Sequence, residues 1–567
     1  MGGQGLRKGK VTRGKRVIKS GLIAGGVAVL VSLIGMVEAF SQRYIVADII
    51  SIGHALLLGI GVLTGYLSVR ESRSGLTFLG AVGAGGIAGA LLSLLVIVGN
   101  LIPLRRVFIN ASPVLFELLT LGQGSWGTGI LVLLGCGSAA WGAAMALVPQ
   151  KYRKAALNAM GWVVTLGVLQ DLVRPLLAAW GPVADFSELV FEANGLTLEG
   201  ALGTMAVVAV GTLFWKGKGE KFHELIRGLD PAMRRALRVG WVAFILAILL
   251  VLPHILGLFL SEVLTVVGLY VLLGLGLNIV VGFAGLLDLG YVAFFAIGSY
   301  TVAVLTSPEL GFFNLSFWVA LPVAIALGVV SGVLLGIPVL KMRGDYLAIA
   351  TLGFGEIIRI LVLSDFLRPW LGGAQGIGKI PKASIGGFEF ATPQALYYLI
   401  LAGCAVVGVI SWRLRDSRIG RAWMAIREDE DVAQAMGINL VAMKLLAFAT
   451  GAAFSALSGA IFATKLGSVY PHSFNVMISI NILCLIIVGG MGSIPGVIVG
   501  AAALVGLPEL LREFAEYRLL VYGAALVAMM ILRPEGLWPE AVRKRELHFD
   551  SATHEMRFSE ERGDEAP

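Results

Sequence analysis

The run Lys341–Leu361, KMRGDYLAIATLGFGEIIRIL, sets Asp345, Thr351, Glu356 and Arg359 at or inside an otherwise apolar stretch. Charge in such a stretch is costly in hydrocarbon and by default marks a solute or proton pathway, or an ion pair. Glu356 and Arg359 have i, i+3 spacing, so they can neutralise each other on one helical face. Gly353 and Gly355 flank Phe354, which suits an interrupted helix or a close helix crossing. Interrupted helices near mid-membrane are where many transporters build solute sites. A second run, LNIVVGFAGLLDLGYVAFFAIGSY at Leu277–Tyr300, carries Asn278 and Asp288 among Gly282, Gly285 and Gly290. It reads as a span broken around 283–290, an inner mouth or short re-entrant turn; tight packing of small residues explains it equally well. GGMGSIPG at Gly489–Gly496 is a similar break before Val497.

A third segment, GRAWMAIREDEDVAQAMGIN from Gly420 to Asn439, is dense in charge where the chain otherwise avoids it. Ala422–Met436 has helix-forming residues and no Pro, and Gly437 is placed to stop the helix. Trp423, Ile426 and Val432 supply an apolar side, and Arg427, Glu428, Asp429, Glu430 and Asp431 a solvated, mostly acidic one. Such a segment is either a plain connecting helix or a docking helix for a partner's groove.

The elements that must position these residues are membrane spans. The 567 residues are 57% hydrophobic and only 14% charged, with mean hydropathy +0.86, where a soluble domain is about 25% charged. Apolar runs near the ~20 residues needed to span a bilayer recur along the chain, without the short alternating segments of a barrel. The expected fold is therefore all-α, a polytopic bundle of about sixteen spans with interrupted helices in its C-terminal core. Spans are read near 17–39, 44–69, 75–99, 125–148, 157–180 and 200–216. The rest fall near 240–258, 262–282, 287–306, 316–339, 345–364, 394–412, 443–463, 475–490, 494–512 and 518–533. The basic N-terminus is followed by no small-residue cleavage site, so an uncleaved first helix is expected.

Lys and Arg cluster at 7–19, 70–73, 150–156 and 215–238, and the stretch 181–199 holds Asp and Glu alone. This alternation is the positive-inside pattern, not a nucleic-acid footprint, and puts both termini in the cytoplasm. Arg105–Arg106, on a loop expected outside, breaks the pattern. Residues 1–239 form an N-terminal extension of unknown role closed by the basic hinge. Residues 240–540 form the core, with the charged loop at 414–442 inside it, and 541–567 a charged tail that reads as disordered.

Other signals are set aside. Cys136, Cys404 and Cys484 lie in apolar spans without metal or disulfide spacing. The glycines of Gly80–Ala90 lack the strand and acidic partner of a nucleotide fold and suit a packing face. His54 reads as a hydrogen-bonded packing residue, and Asp171 with Arg174 as another i, i+3 pair. No nucleophile–base set or metal cluster marks an enzyme. No G-x-x-x-x-G-K-[ST] occurs, so ATP binding by a P-loop is excluded.

GDYLAIATLGFGEIIRIL, GRAWMAIREDEDVAQAMGIN followed by KLLAFATGAAFSALSGAIFA, and ILRPEGLW together resemble the LivM-type inner-membrane permeases of bacterial ABC importers for branched-chain amino acids, over roughly 261–538. The resemblance implies a bacterial inner-membrane complex with a second, LivH-like permease, two ABC ATPase subunits and a periplasmic or extracellular solute-binding protein. It implies a small-molecule solute, no cofactor and no catalytic residue in this chain. Residues 420–439 would be the cytoplasmic loop that couples to the ATPases, through Arg421, Arg427, Glu428, Glu430 and Gly437. Asp345, Tyr346, Thr351, Phe354 and Glu356 would lie near the translocation path, with Asn278 and Asp288 added from the broken span. Relatives in that family serve urea or short amides. A self-sufficient transporter with protons carried by Glu356, Asp288 or Asp171 is the rival from another class.

Overall fold

The computed structural model describes residues 3–70, 75–178, 184–192, 194–228, 230–342 and 344–510, with individual positions between 517 and 539. Among these the chain is nearly all helix, because only a helix satisfies every backbone N–H and C=O within one segment in lipid. Two short antiparallel hairpins, Tyr44–Val46 with Ile50–Ser51 and Ser384–Ile385 with Phe388–Glu389, are the named strands of the described residues.

Nine helical stretches among the described residues are long and apolar enough to cross a membrane, and Val17–Leu33, Leu198–Phe214, Val292–Thr306 and Ile494–Leu510 are shorter apolar helices. Val239–Phe283, at 45 residues, is twice the length of a single crossing. It bends at Pro253, which has no N–H to give, and at Gly257, whose φ of 72° and ψ of −171° are not helical. Ser261 Oγ donates to the Gly257 carbonyl at 2.6 Å and so satisfies a group the bend releases. Two expected spans, 240–258 and 262–282, thus share one bent helix.

The stretch expected to span near 157–180 is instead broken, into Gln150–Val168 and Gln170–Ala178. Polar Gln170, Asp171 and Arg174 cluster just after the break. Asp171 pairs with Arg43 rather than with Arg174 as its spacing suggested. Arg174 donates to the Glu192 carbonyl at 3.2 Å. The basic stretch 215–238, read as a hinge, lies largely within the ends of the Leu198–Gly228 and Pro231–Leu277 helices. The tail 541–567 and most of the span near 518–533 lie outside the described residues.

The chain forms two compact units, Met1–Ala243 and Phe244–Pro567. In the first, the Gly75–Leu101 helix packs on Ile52–Arg70 and Gly124–Leu147, with Ala81, Ala139 and Ala143 fully buried. Small side chains let helix backbones approach where lipid removes the hydrophobic drive between helices. His54 is bonded here as expected, with Ser51 Oγ 2.7 Å from Nδ1 and the Leu118 carbonyl 3.2 Å from Nε2. In the second unit, Leu440–Leu466 is central and packs on Val292–Thr306 and Phe317–Val339. Its Ala452, Ala456 and Ala460, at i, i+4, i+8, are fully buried. Around this stripe sit Phe283, Tyr291, Phe294 and Phe448, also buried. This core carries the breaks that the sequence singled out.

Candidate functional site

The apolar helix that ends at Leu277 continues as a π-helix, Asn278–Phe283, and then leaves helical geometry until Val292–Thr306 begins. Asn278, buried, accepts the Gly492 N–H at 2.9 Å through Oδ1. The break at 278–291 and the GGMGSIPG break therefore lie side by side. In the latter, Ser493 caps Ile494–Ala501 by accepting the Gly496 N–H at 3.1 Å.

Asp288 is fully buried. Its Oδ1 accepts the Gly290 N–H at 2.9 Å, and its Oδ2 has no hydrogen-bond partner among the described residues. Thr351, fully buried on the Asp345–Leu363 helix, accepts the Leu289 N–H at 3.0 Å and donates to the Ala348 carbonyl at 3.0 Å. Gly290 is pressed so close that a Cβ there would sit 1.8 Å from the Thr351 carbonyl oxygen. Asp288 and Thr351 are thus brought together at the turn, and Asn278 pins its other end. These residues shape the break from within.

The other residues expected near a path lie elsewhere on the Asp345–Leu363 helix. Asp345 is exposed in its first turn, where a carboxylate complements the positive end of the helix. Tyr346 is 77% exposed. Phe354 is half-buried with its ring centroid 5.7 Å from that of Phe294. Glu356 and Arg359 form the expected i, i+3 pair on a partly exposed face.

Tyr300 was not singled out from the sequence, where it reads as one aromatic in an apolar span. It lines an open apolar pocket of about 400 Å³ together with Ala296, Val304, Leu327, Ile358 and Leu361. Its hydroxyl is buried without a hydrogen-bond partner among the described residues. A smaller pocket on the same tyrosine reaches Gly355 and Arg359.

The charged segment is two helices, Arg418–Glu428 and Glu430–Ala435, and not the single helix expected over 422–436. Asp429 makes the break. Its backbone is extended (φ −155°, ψ 115°) and its Oδ1 accepts the N–H groups of Asp431 and Val432, each at 2.9 Å. An Asp in this role competes with continued helix. Gly437 ends the second helix as expected, at φ 85°. The Ile438 N–H reaches the Ala433 carbonyl at 3.1 Å and the Gly437 N–H the Gln434 carbonyl at 3.0 Å, a paired closure that favours a left-handed residue between them.

The two faces differ from the sequence expectation. Trp423 and Ile426 are buried, and the indole N–H of Trp423 donates to the Met443 carbonyl at 2.8 Å. Val432, expected inside, is 58% exposed, and Met436 is 79% exposed. Glu430, expected in solvent, forms a largely buried ion pair with Lys444 at 2.7 Å. Arg427 turns inward, its guanidinium donating to the Gly282 carbonyl. Arg421, Glu428 and Gly437 remain exposed. The outward surface is therefore mixed, with Val432 and Met436 among carboxylates and Arg421.

Among known proteins, the family described as "Branched-chain amino acid transport system / permease component" matches residues 259–530. The high-affinity branched-chain amino acid transport system permease protein LivM of Salmonella typhimurium is 42% identical over 302 residues, 49% of this chain and 69% of the relative. LivM of Escherichia coli gives the same figures. The permease protein LivH of Escherichia coli is 24% identical over 290 residues, 47% of this chain and 90% of that protein. No solved structure matches the chain.

Proposed function

The chain belongs to the family of LivM-type permease components of branched-chain amino acid transport systems, and from that premise we propose how it works and with what. It is the transmembrane permease subunit of an ATP-driven importer, an integral protein of the bacterial inner membrane, and its solute is a branched-chain amino acid. It pairs with a second, LivH-like permease and receives solute from a periplasmic or extracellular solute-binding protein. Two ABC ATPase subunits supply the hydrolysis. Both termini and the 414–442 loop face the cytoplasm. The expected count of about sixteen crossings needs the Val239–Phe283 helix to cross twice, the four shorter apolar helices to cross, and 157–180 and 518–533 to cross as well.

The observation that carries this reading is a capped pair of short helices between two apolar spans, in a chain with no P-loop of its own. Arg421, Glu428 and Gly437, with Val432 and Met436 beside them, form the face that meets an ATPase groove. Arg427 and Glu430 serve coupling from the inward side. Along the path, Asp345, Tyr346, Phe354 and Glu356 stand on the more accessible part of the Asp345–Leu363 helix. Asn278, Asp288 and Thr351 shape the break beside it. The apolar lining of the open pocket on Tyr300 favours an aliphatic side chain over urea or a short amide, whose polar groups would go unpaired there.

Reconstitution of the complex in vesicles tests the reading. Leucine uptake that needs both ATP and the solute-binding protein is expected. Uptake by this chain alone, driven by a proton gradient and abolished by an uncoupler, would replace it with the proton-coupled reading.

A further inference from the structure

The inward side of the docking helices meets the helix break at Arg427. Its guanidinium donates to the Gly282 carbonyl in the last turn of the π-helix. Its stem lies flat on Gly285, where a Cβ would come within 2.8 Å of Arg427 Cγ and where φ is 71°. From Gly285 the chain runs to Gly290 through the turn that Asp288 closes. At Leu289 and Gly290 the same segment is gripped from the Asp345–Leu363 helix, by Thr351 Oγ1 at 3.0 Å and by the backbone contact beneath Gly290.

Residues 282–290 are thus held at one end by a docking helix and at the other by the helix that carries Asp345, Tyr346, Phe354 and Glu356. Both grips meet the segment at its backbone, at glycines or at N–H and C=O groups, and beneath Gly290 the contact is backbone against backbone. Between them, over 285–290, the chain is not helical, and the turn closed by Asp288 joins the two gripped ends. The rest of the docking pair is anchored separately, by Trp423 on Met443 and Glu430 on Lys444, to the start of the Leu440–Leu466 helix. Arg427 lies between these two anchors, so it moves with the docking pair and the start of that helix.

We infer that Arg427 is a positioning residue that passes movement of the docking helices through the 282–290 segment to the Asp345–Leu363 helix, so that ATPase closure moves the translocation path. This inference rests on the docking reading above.

The test uses the assembled complex with its solute-binding protein in vesicles, and reads leucine transported per ATP hydrolysed. Arg427→Gln is expected to retain the ATPase subunits while that ratio falls about tenfold, a coupling loss in the usual range. Arg427→Lys, which keeps a charged donor, is expected to restore part of the ratio. Gly285→Ala, which crowds the same contact from the other side, is expected to lower it as Arg427→Gln does, and reports independently if one variant assembles poorly. A merely structural role for Arg427 would lower the yield of complex and leave the ratio alone. An assembled Arg427→Gln complex with the wild-type ratio would overturn the inference, as would its loss of the ATPases, which would make Arg427 an outer docking contact. Wild-type complex recovered without any ATPase would overturn the docking reading itself.

Discussion

Glu430 shows what a single residue conceals in a sequence. A run of acidic residues gives no sign that one member turns inward to a lysine on the following helix, and it was expected in solvent with its neighbours. Removing one member of a buried pair leaves an uncompensated charge and costs about 3–5 kcal/mol. Glu430→Ala is therefore expected to lower the thermal midpoint of the purified chain, and Glu430→Ala with Lys444→Met to recover much of it. Equal midpoints for the single and double variants would show that the pair contributes little. Thr351 is the matching case inside the membrane. Thr351→Val leaves the half-buried Leu289 N–H without its hydroxyl partner, a loss of about 1 kcal/mol, whereas Thr351→Ser keeps the hydroxyl and should melt near the wild type. The sequence marked Thr351 and Asp288 as polar groups in apolar runs, but their meeting depends on a fold that brings distant residues together.

At the scale of elements, the sequence located the charged segment and its end but not its division. Gly437 was legible because a glycine after a helix-forming run has one common use, a left-handed stop. Asp429 was not, because an aspartate within a charged helical face looks like any other solvated residue until its side chain is seen to cap the next helix. Gly437→Pro cannot adopt a positive φ and loses the N–H given to Gln434. Membrane insertion is expected to persist while recovery of ATPase subunits falls severalfold in a pull-down. Undiminished recovery would remove Gly437 from the docking surface. The helix breaks read around 283–290 and at 489–496 were each legible from glycines amid apolar residues, whereas the π-helix Asn278–Phe283 before the first was not. Their adjacency was not, since nothing local pairs Asn278 with Gly492. The break at Leu169 inside the stretch 157–180 is not legible from its apolar content, although Gln170, Asp171 and Arg174 cluster just after it.

For the molecule as a whole, composition was enough for an all-α membrane protein, since apolar stretches of spanning length leave few other folds. The role of the first part was not legible, because its residues match no motif and its helices are what any lipid-facing bundle requires. Its charge is distinctive: residues 1–239 hold 23 Lys and Arg against 12 Asp and Glu, whereas 240–567 hold 21 against 24. The matched family region, 259–530, lies outside this basic part. A chain that begins at Pro231 is therefore expected to insert and to recover the same ATPase subunits as the longer one, measured by pull-down from membranes. Loss of the ATPases on truncation would place the extension in the coupling machinery.

Solubilising the chain from its native membrane and identifying the proteins that come with it tests its place in an ATP-driven importer. Two P-loop ATPases and a second, shorter permease are the expected partners. Recovery of the chain alone, still moving solute in vesicles without ATP, would contradict the importer reading and leave the helices Arg418–Glu428 and Glu430–Ala435 as a connector.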